Sequence, residues 1–172
     1  LLIFLEQVVG ELLRKVGELW KNGAMRVGHE HMASAVIQRY LAGMLGRERS
    51  MGPLILMTTP AGQRHEMGAL MAAIIAESEG WRVLYLGADM PAAEIAAAAT
   101  QARASLVGLS IQSRGDENML AEELKQLRMA LPDSIPLIVG GTAIKYYEQL
   151  LQDIEAFTSS DLASYIDTLS SV

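Results

Sequence analysis

Hydrophobic and polar positions change rhythm once along this chain. Over "LLIFLEQVVGELLRKVGELW", apolar side chains recur at positions 5, 8, 9, 12, 13, 16, 19 and 20. That spacing predicts an amphipathic helix with Glu11, Arg14, Lys15 and Glu18 on the face opposite the stripe. "KNG" at 21–23 ends it, because Gly23 can take the left-handed conformation that terminates helices. A second helix is expected from about Met25 to Leu45, carrying Val27, His31, Ser34, Ile37, Gln38 and Leu41 along one face. The pair makes an α-hairpin, and the polar stretch "GRERSMGP" links it to the rest of the chain.

From Pro53 the helical stripe gives way to short apolar runs alternating with helical segments. "PLILMTT", "WRVLYLG", "SLVGLSI" and "IPLIVGG" read as buried strands. Between and after them, "EMGALMAAIIAESEG", "PAAEIAAAATQARA", "NMLAEELKQLRMAL" and "AIKYYEQLLQDIEA" read as helices, and "AFTSS" plus a final helix "LASYIDTLSS" close the chain. Such alternation predicts an α/β fold, a parallel sheet covered on both faces. The expected architecture is a helical hairpin or bundle over residues 1–48, followed by a flavodoxin-like (Rossmann-like), doubly wound, five-stranded sheet over 53–172.

Composition narrows the classes. The chain has 172 residues, 51% of them hydrophobic, enough for one packed domain with a small appendage. A net charge of −6 disfavours contact with a phosphate backbone by this segment alone. With no cysteine, disulfides, zinc–thiolate sites, iron–sulfur clusters and thiol nucleophiles are excluded, which fits a reducing cytoplasm. No apolar stretch approaches the ~20 residues of a membrane-spanning helix, and "LLIFL" lacks the features of a signal segment. Because the first residue is Leu1 rather than Met, the chain is expected to be part of something longer.

In doubly wound sheets, ligands bind beyond the carboxyl ends of the strands. The G-x-G-x-x-G fingerprint and the G-x-x-x-x-G-K-[ST] phosphate loop are both absent there, and the first strand ends in Met-Thr-Thr-Pro rather than in carboxylates that would hold Mg²⁺. What stands at that edge is "GQRHEMG", which contains His65, one of three histidines, with Gly68 three residues on. "QRHEMG" is similar to the D-x-H-x-x-G motif of cobalamin-binding domains, with Gln63 in the place of Asp. "LSIQS" resembles that family's S-x-L segment, Ser110 matching and Gln112 replacing Leu. "IVGG" resembles its Gly-Gly, here Gly140 and Gly141.

The three pieces occur in the family's order at successive strand ends. The resemblance implies that His65 is an axial ligand to cobalt, entering the corrin from below as a neutral imidazole. The cofactor's displaced base and nucleotide arm would thread into the α/β part, where Gly68, Gly140 and Gly141 leave room and the Ser110 hydroxyl bonds a base nitrogen. Gln63 is expected to accept the second ring N–H of His65, without the charge an aspartate would bring. Taken singly, each piece has a plainer reading: a surface histidine, a turn after a strand, an ordinary serine.

The hairpin carries a further pattern. Trp20 lies close to the turn and Glu30–His31 close to it on the partner helix, so at ~1.5 Å rise per residue all can line one patch. W-x₉-E-H before a cobalamin domain resembles the helical cap of the light-sensing, MerR-type (CarH-like) transcriptional regulators. The resemblance implies adenosylcobalamin as cofactor, with Trp20 covering the adenosyl group and Glu30 and His31 contacting it. His29 has no matched role and is expected at the surface. In family members that form a stable light-state adduct, the residue after the Trp is a histidine; here it is Lys21, whose ammonium has no lone pair for cobalt.

The function implied is that of a sensor rather than an enzyme. Photolysis of the cobalt–carbon bond would alter cap packing and oligomer state, and DNA would be bound by a separate N-terminal domain. The apolar face with Leu1, Leu5 and Leu12 is available for a homo-oligomer interface or for burial in a larger bundle. The competing readings are a corrinoid methyl carrier of a methyltransferase system, and a regulator of the same fold sensing another ligand such as heme or a protein. A mutase subunit would need a substrate barrel that this chain is too short to hold.

Overall fold

The computed structural model describes residues 1–46 and 50–172. The centre of the linker "GRERSMGP" and the expected end of the helical segment at 48 lie outside the described residues.

Five parallel strands form one sheet in the order β2-β1-β3-β4-β5: β1 Leu54–Thr58, β2 Arg82–Tyr85, β3 Leu106–Ser110, β4 Leu137–Gly140 and β5 Phe157–Ser159. This is the flavodoxin-like order, whose direction reverses between β1 and β3. The register pairs Ile55 with Leu106 and Ser110 with Gly140, so the ends of β1, β3 and β4 reach the same edge.

Side chains alternate across the sheet with period two. Leu56, Val107, Leu109, Leu137 and Val139 enter one core with α4 (Ala92–Ala102), α5 (Glu117–Ala130) and α6 (Glu148–Asp153). Ile55, Met57, Leu106 and Ile138 enter the other, with α3 (Met67–Ser78) and α7 (Leu162–Ser171). At ~1.5–3 kcal/mol for each fully buried Leu or Ile, these two layers supply the main stabilisation.

α3 is apolar on nearly all sides because it is covered twice, by the sheet and by the hairpin. The hairpin is α1 (Glu11–Lys21) and α2 (Val27–Ala42), with Gly23 at φ +69 in the turn between them. Leu5, Val9, Ile37 and Leu41 pack into the α3 core. Two carboxylates reinforce that seam. Buried Glu77 accepts the Gly46 N–H at 2.9 and 3.1 Å, and Glu66 accepts from both the Gln38 amide and the Tyr85 hydroxyl.

Two helices differ from expectation. The first begins as a π-helical segment, Phe4–Gly10, before α1. The wider π turn rotates the following residues, so Leu5, Val9 and Val16 are buried while Val8 and Leu12 face outward. Arg14 and Glu18 turn to the inner cleft instead of the far face. Leu5, assigned with Leu1 and Leu12 to a free apolar face, is fully buried; Leu1 and Leu12 are exposed. The helix expected over "AIKYYEQLLQDIEA" splits into a 3₁₀ turn, Ile144–Tyr146, and a short α6. Tyr147 breaks it: its backbone is non-helical at φ −125, and its buried side chain reaches the Arg114 carbonyl.

Candidate functional site

Between the hairpin and the carboxyl edge of the sheet lies a cleft of about 1240 Å³. It exceeds the ~300–1,000 Å³ of an ordinary small-ligand pocket. Trp20, Glu30 and His31 line it from the hairpin; His65, Gly68, Ser110, Gly140 and Gly141 line it from the sheet edge. Its inner end runs between the sheet and the α3–α7 layer, past Met57, Gly108, Ile138 and Tyr165.

The hairpin side is open. Trp20, one residue from the end of α1, is 49% exposed. Glu30 is fixed between neighbours, accepting from the Ser34 hydroxyl at 2.6 Å and contacting His31 Nδ1 at 2.8 Å. His31 itself is largely exposed, Lys21 also lines the cleft, and His29 lies at the surface outside it. Arg14 adds a charge from α1, held between Glu11 and Glu18. Its guanidinium keeps the Glu11 carboxyl below the usual range.

The sheet side is enclosed. His65 sits in the loop between β1 and α3, exposed to the cleft, and bonds to no other described residue. Both ring nitrogens are therefore available, and among the described residues no group of three His, Asp or Glu side chains could hold a metal ion. A single free imidazole suits a metal whose other positions are filled by a macrocycle. Ser110, 4% exposed, ends β3 and accepts the Gln112 amide at 3.0 Å. Deeper in, the buried Tyr165 hydroxyl has, among the described residues, only the Met57 sulfur as partner, at 3.6 Å, and burial pushes its pKa up.

Residues 53–160 match the B12 binding domain family, and residues 1–42 match a second family of the same description. The chain belongs to the B12-binding domain family. It is 35% identical over 86% of its length to the HTH-type transcriptional repressor CarH of Myxococcus xanthus, covering 50% of that protein. It is 36% identical over 76% of its length to the repressor CarA of the same organism, covering 44% of it. The chain thus spans about half the length of these curated relatives. In fold it is similar to the monomethylamine corrinoid protein of Methanosarcina barkeri, with TM-score 0.66 and 17% identity, covering 93% of this chain and 78% of that one.

The residues of this B12-binding domain fit a corrinoid with a nucleotide arm. A lone imidazole opens onto a wide cleft, and a slot beside it is floored by glycine. At Gly68 a Cβ would stand 2.7 Å from the Ser110 oxygen and collide with the Gln112 amide, which lies over that bare Cα. At Gly108, unremarked in the sequence, a Cβ would collide with the Met57 sulfur.

Three expectations are altered. Gln63 does not bond His65 and does not line the cleft. Its side chain, 1% exposed, points into the β3–α5 loop, where Oε1 accepts the N–H groups of Gln112 and Ser113 at 3.2 and 3.1 Å and Nε2 donates to the Ser113 carbonyl at 2.8 Å. The physical reason is satisfaction: a buried amide needs partners for both ends, and that loop's backbone supplies them. Gly140 and Gly141 do line the cleft, yet their bare Cα atoms first serve neighbouring strands. A Cβ at Gly140 would stand 2.8 Å from the Ser159 hydroxyl; one at Gly141, where φ is +112, would collide with the Ile111 backbone.

The sequence pattern marked Gln112 only as a departure from the S-x-L segment and placed Arg14 on the far face, and it singled out none of Tyr165, Met57 and Glu66. Only Tyr165 carried a usable signal, the i, i+3, i+7 spacing of Leu162, Tyr165 and Leu169 that turns one face of the last helix inward. Glu66, beside His65 in sequence, joins α2 to β2 through Gln38 and Tyr85. Burial and that hydrogen bond hold the Tyr85 pKa above its ordinary value.

Proposed function

We propose that this B12-binding domain is the adenosylcobalamin-binding, light-responsive sensory region of a transcriptional regulator. The observation that carries the reading is the single cleft lined by Trp20, Glu30 and His31 on one side and by His65, Gly68 and Ser110 on the other. Similarity to two HTH-type repressors over most of this chain supports it. Residues 1–48 act as the cap and 53–172 as the base.

When bound, adenosylcobalamin supplies a light-labile cobalt–carbon bond. His65 would hold the cobalt through a ring nitrogen. Gly68 and Ser110 admit and hold the displaced base, while Gly140 and Gly141 shape the slot beside β5. Trp20 excludes water from the upper face, and Glu30 accepts hydrogen bonds from the sugar or base of the adenosyl group, steadied by Ser34. Lys21 leaves the histidine-ligated light state of related regulators without its usual ligand. The exposed hairpin residues Trp20 and His31 would repack in response to light, changing the assembly of the chain as a homo-oligomer. DNA contact is assigned to a region beyond this acidic segment, which acts as a cytoplasmic regulator and not as an enzyme. Among the described residues, no helix is long and apolar enough to cross a membrane.

The fold likeness to a corrinoid protein keeps a methyl carrier as the second reading. One experiment separates them. The chain is mixed in the dark with adenosylcobalamin or methylcobalamin, then exposed to green light and passed over a sizing column. The proposal expects uptake of the adenosyl form, bleaching, and a changed elution volume. Bleaching with no change in size contradicts assembly switching, and preference for the methyl form favours the carrier.

A further inference from the structure

We propose that Gln112 selects the lower base of the bound corrinoid, favouring a purine over a benzimidazole. The inference rests on the reading that the slot beside Ser110 takes the nucleotide arm.

Gln112 lies just after β3, and its backbone is fixed on both sides. Its N–H donates to Gln63 Oε1 at 3.2 Å and its carbonyl accepts the Thr142 hydroxyl at 3.1 Å. Its side chain lies across the slot. Nε2 donates to Ser110 Oγ at 3.0 Å, Oε1 accepts from Thr142 Oγ1 at 3.2 Å, and the amide end fills the space over Gly68. The amide thus occupies the position at which an arriving base meets Ser110. Because the far end of a flexible side chain blocks the passage, a rotation clears it without moving the backbone.

What the rotated amide then bonds decides affinity. Beyond it the slot is lined by Met57, Gly108 and Ile138, with the Tyr165 hydroxyl as the polar group among them. A benzimidazole presents one free ring nitrogen, an acceptor that the Ser110 hydroxyl satisfies. The hydroxyl can donate to that nitrogen while still accepting from Nε2, so the benzimidazole gains no bond from the amide. A purine with an exocyclic amine beside a ring nitrogen presents a donor and an acceptor side by side. A primary amide pairs with that edge through two hydrogen bonds, as glutamine does with adenine in nucleic-acid recognition. Gln112 therefore pairs with the purine through two hydrogen bonds that it cannot make to the benzimidazole edge, where leucine would suit the apolar-edged base.

The test measures dark dissociation constants, by absorbance change, for adenosylated corrinoids bearing dimethylbenzimidazole or adenine as lower base. The wild-type chain is compared with Gln112→Leu and, as a second unbranched control, Gln112→Met. The expected result is that either substitution shifts the ratio of the two constants at least tenfold toward dimethylbenzimidazole. An unchanged ratio, with both corrinoids still bound, overturns the selector role and makes Gln112 a brace between Ser110 and Thr142, leaving the cofactor reading intact. Failure of the wild-type chain to bind either corrinoid overturns the cofactor reading and this inference together.

Discussion

The two walls of the cleft are built differently. On the sheet side, Ser110 and, behind the lining, Gln63 are almost fully buried, and each is locked by hydrogen bonds to the β3–α5 loop. On the hairpin side, Trp20 and His31 are exposed, and the helices are tied down by a few core leucines and isoleucines plus the Glu66 and Glu77 contacts. The lower wall is therefore set by folding itself, because moving any part of it breaks sheet register or leaves a buried polar group unpaired. The exposed side chains of the upper wall, Trp20 and His31, can change rotamer at little cost. For the proposed sensor that division would be useful, one half gripping and the other responding.

The largest expected contrast comes from glycine. Gly141→Ala places a Cβ against the Ile111 backbone at a positive φ and is expected to cost about 3 kcal/mol or to prevent folding. Gly23→Ala, also at positive φ but in open space in the hairpin turn, should cost about 1 kcal/mol. Urea unfolding of both variants checks the pair; equal losses would erase the distinction between the walls.

A smaller effect is expected from Gln63→Leu, which leaves the Gln112 and Ser113 N–H groups unpaired. The loss should be about 2 kcal/mol, read as a lowered thermal midpoint. Were Gln63 instead a partner of His65 alone, stability would barely change. Smaller still is Glu66→Gln, which weakens the contact between α2 and the body by about 1 kcal/mol. Hydrogen exchange should speed up in residues 27–42 while the strands keep their protection. Uniform acceleration through β1 and β3 would mean that the hairpin and sheet open together.

These contrasts also mark what the sequence could convey. The strands were legible because residues such as Ile55–Met57 and Leu106–Leu109 are buried on both faces and leave an apolar run. The positions of His65, Gly68, Ser110 and the paired glycines at one edge followed from the strand order alone. The partner of Gln63 was not legible, since it lies in a loop some fifty residues away and depends on how β1 and β3 align. Nor was the orientation of Arg14 and Glu18: a π turn rotates a helix face without leaving a mark in hydrophobic spacing. The Tyr147 break in the helix after β4 had the same origin, a tertiary bond to Arg114 overriding local propensity.

The central proposal is that the imidazole of His65 would hold the cobalt while Ser110 would bond the cofactor's base. Its most direct test is the dark absorbance spectrum of adenosylcobalamin bound to wild-type and His65→Ala chains. The account predicts that the wild-type spectrum carries the signature of nitrogen ligation by the protein and that the alanine variant loses it, with affinity down about tenfold or more. Identical spectra and affinities for the two chains would contradict it.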